Sequence, residues 1–412
     1  ELLRVYRSFD GADESEAASK IIDVFGSHPF RVEKIGAYLR VNAWETYQGF
    51  LKKAQERLKQ FEHLRETIDA EDFQLRHEKI LDEECLRPTL EKLTQNAKTL
   101  LDWAALFGPD SVPVPWLGEL AEIDGDEIRQ GLQELEDYRL LIPAEADSKE
   151  QTRRLFDVNL ARLHRIAREI VVDQTPSQLR SVTLEYVGQK IDELLSKDAS
   201  YWLAGGAAWG LDSIADFCFG RYEEAKKREP SGKDHDLIWQ FSKLFDLYLD
   251  RLRAFDRAHK ICEASEELSH RRADAAPDDL QALRDLSVSY NKLGDLCNAE
   301  GSRTEAREYY EKSLEIRKQL VSRTPDDLQA LRDLSYSYER LGALSNAEGS
   351  RTEAREYYEK SLEIRKQLVS RTPDDLLALR NLSISYNRLG DLSNAEGSRT
   401  EAREYYEKYH EI

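Results

Sequence analysis

The chain has 412 residues, with 60 Lys and Arg against 79 Asp and Glu for a formal charge of −19, and is 40% hydrophobic and 34% charged. That length allows two or three domains and that balance suits a helical protein in water, which excludes a disordered chain. The acidity repels phosphate backbones unless a basic face is set apart from the rest, so nucleic acid is not a default partner. Cys85, Cys218, Cys262 and Cys297 lie far apart without a C-x-x-C spacing. Neither a zinc site nor a disulfide framework is indicated, and the thiols read as free in a reducing cytoplasm. There is no charged-then-apolar leader, so the cytoplasm is the default; the chain opens on Glu1 with no methionine anywhere and stops at Ile412 inside a repeat, which read as a fragment.

In chain order, residues 1–87 read as a helical region that contains "VFGSHPFRVEKIGAYLR". Between 88 and 173, "LEKLTQNAKTLLDWAALFG", "VPWLGELAEI" and "DEIRQGLQELEDYRLL" carry apolar residues at helical spacing. Strand-like "LLIPAE" and "RRLFDVN" then flank the polar turn "ADSKEQT". Three helices and a hairpin predict a winged helix with a small β-wing. Its third helix offers Asp126, Glu127, Glu134, Glu136 and Asp137 against the single Arg129, which argues against docking in a DNA groove. Residues 174–235 read as a helical connector. Its apolar run "WLAGGAAWGLDSIADFCFG" is broken by Asp212 and Asp216, and so predicts a buried helix pair rather than a membrane span.

"NLARLHRIAREIV" after the wing and "VFGSHPFRVEKIGAYLR" before it, with the helices between, resemble the C-terminal part of the nucleotide-binding module of STAND (signal-transduction ATPase) proteins of the NB-ARC type. In that family a Gly-x-Pro stretch starts a helix beside the adenine, and a Met-His-Asp motif in the winged helix places its His near the ADP phosphates. Ser27-His28-Pro29 occupies the first place, with Gly26 one residue early, and Leu163-His164-Arg165 the second, with Arg where the family often has Asp. The resemblance covers about residues 1 to 200 and implies ADP or ATP as cofactor, with Pro29 and His164 as nucleotide-facing residues. It makes 1–87 an ARC-like region. Read without it, His164 is a packed helix-face histidine and Pro29 a first-turn proline.

From about 236 the chain is repetitive. Pro277, Pro325 and Pro373 each open "PDDL" at a spacing of 48 residues, and a fixed period of this size means a stacked solenoid. Units run at 277–324, 325–372 and 373–412, and "FDRAHKICEASEELSHRRADAAP" supplies a degenerate unit before 277, with Ala258 and Leu268 at the places of Ala306 and Ile316. Each unit reads as a helical hairpin broken at Gly301 or its equivalent, with Glu308–Lys312 and Glu315–Lys318 lacing the exposed side of the second helix. Tyr290, Leu293, Gly294, Ala306, Tyr310 and Ser313 resemble the tetratricopeptide repeat family in identity and spacing. The family unit is about 34 residues, so the excess predicts roughly two extra turns on each helix. The expected fold class is therefore mainly all-α, a winged helix followed by a tetratricopeptide-like solenoid.

On their first helices the copies differ at 281/329/377, 285/333/381, 288/336/384, 291/339/387, 292/340/388, 295/343/391 and 297/345/393, mostly on one helical stripe. The family resemblance implies that this stripe lines a concave groove: Val288, Asn291, Asp295 and Asn298 in the first unit, Tyr336, Glu339, Ala343 and Asn346 in the second, Ile384, Asn387, Asp391 and Asn394 in the third. A diversifying groove explains the pattern. Drift at exposed sites after recent duplication is the alternative, and it does not easily explain why the exposed side of the second helix is unchanged.

No G-x-x-x-x-G-K-[ST] is present: "PSGKDHD" lacks the upstream Gly and "GGAAWG" the Lys. His77-Glu78 lacks the second His of a zincin, and no cysteine pairs with a histidine in a known pattern. The expectation is no catalytic and no metal residue within this stretch, and a parent ATPase whose phosphate loop lies ahead of Glu1. The function expected from the resemblance is the regulatory and sensor half of a STAND switch, cytoplasmic, off the membrane, engaging a protein or peptide in the groove. It would oligomerise on activation, with immune-like (antiviral) or other regulatory output. The rival is a constitutive repeat scaffold without nucleotide switching. A winged-helix transcription regulator needs a basic face that the sequence lacks.

Overall fold

The computed structural model describes residues 3, 8, 11–25, 29–43, 45–62, 82–144, 155–163, 165–197 and 208–412. Its regular structure is nearly all helical, and the chain divides into two compact units. The first comprises Glu1–Lys190 with Leu203–Gly220, the second Ile191–Trp202 with Arg221–Ile412.

The first unit opens with α1 (Ala12–Phe25), α2 (Pro29–Val41) and α3 (Tyr47–Glu62), which bury Ile21, Phe25, Ile35, Leu39, Tyr47, Phe50 and Ala54 as one cluster. Asp13 and Glu14 sit in the first turn of α1, where carboxylates favour the helix dipole, and Glu14 also accepts a 3.0 Å bond from the Tyr47 amide. The long helix expected at 90–108 is instead two, α4 (Arg87–Lys92) and α5 (Gln95–Leu106). Thr94 divides them: its hydroxyl caps Ala97 N at 3.3 Å, a local bond that competes with helix continuation.

Next come β1 (Val112–Pro113), α6 (Val114–Ala121), α7 (Gly125–Asp137), β2 (Leu141–Pro143) and β3 (Leu160–Leu163). β3 lies between β1 and β2, antiparallel to both, with Ala161 opposite Val112 and Leu163 opposite Leu141. Three helices and a small sheet thus appear in the expected order, with two corrections. Within "RRLFDVN" the described residues form no strand: Leu155–Asp157 is a 3-10 turn with Leu155 fully buried, and the returning strand falls at "LARL". β1, at a Val-Pro pair ahead of a helix, carried no sequence signal. The turn "ADSKEQT" lies outside the described residues. α7 ends on Arg139 at φ 56°, and the buried Lys34 of α2 donates its ammonium to the Arg139 carbonyl. Then follow α8 (Arg165–Gln174), α9 (Ser177–Leu195) and α10 (Ala208–Lys226). Among the described residues no helix is long and apolar enough to cross a membrane.

The second unit is a run of helical hairpins: α11 (Asp234–Asp246) with α12 (Phe255–Ala275), α13 (Leu280–Glu300) with α14 (Arg303–Arg323), α15 (Leu328–Ala347) with α16 (Arg351–Arg371), and α17 (Leu376–Ala395) with α18 (Arg399–Glu411). The 20 and 21 residue lengths of α13 to α17 account for the long period. Asp279, Asp327 and Asp375 cap α13, α15 and α17, each accepting from an amide two residues on. Gly301, Gly349 and Gly397 close the first helices at φ 90°, 84° and 84°, a left-handed turn that favours glycine. Gly294 and Gly342 answer a different need, since a Cβ would meet the Tyr310 ring at 2.5 Å and the Tyr358 ring at 2.7 Å.

Neighbouring hairpins are joined by a repeated polar lattice. Arg307 reaches Glu353 at 3.0 Å and also Glu348 and Ser345, and Arg355 does the same to Glu401, Glu396 and Ser393. Lys318 stays 3.9 Å from Glu315 as expected, but Lys312 turns over the paired rings of Tyr290 and Tyr309, at 5.6 and 5.1 Å, rather than serving only as a surface ion-pair partner.

Candidate ligand groove

Along the first helices of the repeats, residues one turn apart form rows with different environments. Val288, Tyr336 and Ile384 are partly open to solvent, Tyr336 at 37%. The Tyr336 ring has the Arg340 guanidinium 4.7 Å from its centroid and that of Arg317 at 5.9 Å, and its hydroxyl accepts from Arg340 Nε at 2.7 Å. The next row is cationic, and each member reaches back to an acid of the preceding hairpin: Lys292 to Asp246 at 2.5 Å, Arg340 to Asp295 at 3.2 Å, Arg388 to Glu339 at 3.6 Å. Burial works against the Arg340 charge, but Asp295 and Tyr336 outweigh it and hold the guanidinium above its ordinary value.

In the row beyond, Asp295 accepts from the Tyr310 hydroxyl at 2.7 Å and Asp391 from Tyr406 at 2.8 Å. Burial first and then the Asp295 charge push the Tyr310 phenol well up, so it remains a donor. Ala343, at the same place in the middle unit, is exposed. Asn298, Asn346 and Asn394 are exposed at the helix ends, where their carbonyls accept the 3.1 Å closing bonds from Gly301, Gly349 and Gly397.

One residue expected in the groove is corrected. Asn291 is buried, its amide donating to Ser313 Oγ at 3.3 Å and accepting from Arg317 at 2.7 Å. Glu339 likewise turns to Arg365, at 2.5 Å. The reason is a pair of arginines on the second helices that the sequence analysis did not single out. Arg317 and Arg365 are buried between hairpins, each spanning from a serine of its own unit (Ser287, Ser335) to a carbonyl and a serine of the next (Asp333 and Ser337, Asn381 and Ser385). Burial pulls Arg317 down to about 10 despite Asp333, which leaves it charged at neutral pH. A signal existed: Ala306, Tyr310, Ser313, Leu314, Arg317 and Leu320 share one helical face, so the arginine stands on the apolar stripe. Part of the variation between copies therefore tunes seams rather than an open wall. Asp285, which is Asp again at 333 and Asn at 381, is another buried case and pairs with His235 at 2.9 Å and with Arg272.

Of the nucleotide-facing expectations, Gly26, Ser27, His28 and His164 lie outside the described residues, as does His77-Glu78. Pro29 begins α2. Among the described residues no group of His, Cys, Asp and Glu could hold a metal ion, and the four cysteines are buried and free.

The tetratricopeptide repeat family model matches residues 285–349 and 336–412, so the 48-residue units are tetratricopeptide repeats. Repeats of this kind serve as protein-interaction scaffolds. No curated protein matches the chain. Among solved structures, BtubC (BKLC) from P. vanneervenii is 16% identical over 56% of this chain and 90% of its own, with a TM-score of 0.34. A putative kinesin light chain with nearly identical repeats from Podosopora anserina is 18% identical over 55% and 93%, at 0.32. A signal transduction ATPase with numerous domains and a tetratricopeptide repeat sensor, from Pyrococcus horikoshii, is 14% identical over 97% of this chain and 59% of its own, at 0.27. Likenesses at these scores carry no functional conclusion.

Proposed function

We propose that the repeats bind a protein segment along the stripe formed by Val288, Tyr336 and Ile384 with Lys292, Arg340 and Arg388, and that the chain is the sensor half of a STAND-type switch. The observation that supports binding is the contrast within the copies: α14 and α16 are identical letter for letter, whereas the open rows of α13, α15 and α17 differ in size and charge. A packing role alone does not select a half-exposed tyrosine held by two arginines in one unit and aliphatic residues in its neighbours. Short random peptides displayed and selected on the full chain test this. Enrichment lost with Tyr336→Ala and Arg340→Ala supports the groove, and enrichment indifferent to both refutes it.

The switch reading draws on the first unit. Its helices, small sheet and following helix α8 stand in the order of the winged-helix segment of NB-ARC-type proteins, and α2 starts at Pro29 as the adenine-side helix of that family does. In this reading His164 contacts the ADP phosphates, and partner binding favours the open form by differential affinity, for which a swing from 1:99 to 99:1 needs roughly 5.5 kcal/mol. Calorimetry of ADP on the chain expressed with a P-loop segment ahead of it, beside His164→Ala, is the test. Equal affinity in both proteins removes His164 from the site, and absence of binding leaves the constitutive scaffold.

A further inference from the structure

The three hairpins are near copies, so each is a reference for the others. In the first, Asp295 stands between two donors, the Tyr310 hydroxyl at 2.7 Å and the Arg340 guanidinium of the next hairpin at 3.2 Å. The same positions 48 residues on are Ala343, Tyr358 and Arg388. Both donors are kept and the acid is replaced by a methyl group. Tyr358 is buried, and its hydroxyl has no hydrogen-bond acceptor among the described residues, unlike those of Tyr310 and Tyr406. Burial pushes its phenol up to about 12 while Arg388 pulls it down, so the hydroxyl remains a donor; by its place in the repeat Arg388 stands to Tyr358 as Arg340 stands to Tyr310.

Hydrogen-bond donors, rather than net charge, are left over here. Arg388 is half exposed, with Glu339 Oε1 at 3.6 Å from its Nε, and the other Glu339 oxygen is taken by the buried Arg365. Asp391 also faces Tyr358 but accepts from Tyr406 at 2.8 Å. The Arg388 and Arg365 guanidinium groups balance the Glu339 and Asp391 carboxylates, so what the position offers is spare Arg388 donors beside a tyrosine hydroxyl that has no acceptor among the described residues, at an exposed position that carries only a methyl group.

We propose that the notch formed by Ala343, Tyr358 and Arg388 takes a carboxylate, supplied by an aspartate or glutamate side chain of the segment bound in the groove, which completes in trans the triad that Asp295 completes in cis. This rests on the groove reading above and deepens it.

The experiment titrates N-acetyl-aspartate N-methylamide, and its asparagine counterpart, into the full chain while following the Arg388 side-chain Nε–H and the Tyr358 ring by NMR. Saturable shifts are expected from the aspartate probe, with affinity reduced about tenfold for the asparagine probe and for Tyr358→Phe, and abolished in Ala343→Asp, whose own carboxylate fills the notch. Ala343→Asp should also raise the unfolding midpoint of the free chain. Equal shifts from both probes, or shifts that survive Ala343→Asp, overturn the proposal. Displayed random peptides separate it from the parent reading: selected peptides without an acid, indifferent to Ala343→Asp, refute the carboxylate notch and keep the groove, whereas no selection at all removes the groove and leaves the probe titration to decide the notch.

Discussion

Replacing glycine by alanine at one place in each repeat isolates packing between the two helices of a hairpin. At Gly342 the added Cβ would lie 2.7 Å from Cδ1 and Cε1 of Tyr358, a buried ring edge with no open side to retreat into. The helix gains about 1 kcal/mol from losing a glycine, and overpacking at 2.7 Å against two atoms of a buried ring takes the upper part of the usual range, about 2–3 kcal/mol, so Gly342→Ala should lose about 1–2 kcal/mol net. Gly294→Ala should lose at least as much, because its Cβ approaches Tyr310 to 2.5 Å and that ring is pinned by its bond to Asp295. Gly390→Ala meets Tyr406 at 2.7 Å, but Tyr406 is only half buried on the last helix and can swing outward, giving up its exposed 2.8 Å bond to Asp391 for water. There the helix gain should win, for a change between zero and about 1 kcal/mol of stabilisation. Urea unfolding followed by circular dichroism reads the order directly. Three equal shifts, or a Gly342→Ala chain as stable as the parent, would refute the argument that the tyrosine ring sets the glycine requirement.

Arg317→Met should lower stability by about 3 kcal/mol, since it orphans Ser287, the Asp333 carbonyl and Ser337 around a buried site, while Arg307→Met at a partly exposed seam should cost less than about 1 kcal/mol; urea midpoints compare them. Burial pulls the Lys34 ammonium from its usual range down to about 7, only partly offset by Glu33. The unfolded chain therefore binds a proton that the folded chain lacks between about pH 7 and 10.5, and stability should rise with pH across that window, by at most about 1.4 kcal/mol per unit. Lys34→Met should flatten the rise in a series of thermal melts. Asp327→Ala removes the cap of α15 and the 2.7 Å Arg284 pair, and should cost about 1 kcal/mol at neutral pH. Burial alone would raise the Asp327 carboxyl, but Arg284 and the two amides bring it below its ordinary value. Its contribution is thus present above the unfolded pKa and lost as pH falls through the folded one, so wild type and variant should converge in acid.

The repeat architecture was legible because a 48-residue period, the PDDL caps and the terminal glycines are local signals that tertiary context did not override. What escaped was set by neighbours in space. Arg317 reads as a surface charge from its chemistry, and only the face it shares with Tyr310 and Leu314 betrays that it is inside. Asn291 falls on the variable stripe by spacing, yet its side chain is drawn inward by that arginine. In the first unit the returning strand was displaced from "RRLFDVN" to "LARL", since strands this short carry little alternation to read and are fixed by pairing with β1 and β2.

The identity of α14 and α16 also bears on how the array forms. Helices that share every residue offer the same tyrosines, the same buried arginine and the same clamp to any first helix that reaches them, so α13 can pair with the wrong partner at little loss in contact energy. Solenoid folding can start at any unit and spread to its neighbours, and a chain that joins α13 to α16 loops out one unit between two well-formed ends. Such a species keeps most native helix content and escapes only by undoing a hairpin. Because α14 and α16 are identical, substitutions on a first helix, such as those at 288, 291 and 295, cannot distinguish its own second helix from the next one; what favours the native pairing is the short turn at Gly301, which holds α13 and α14 next to each other along the chain.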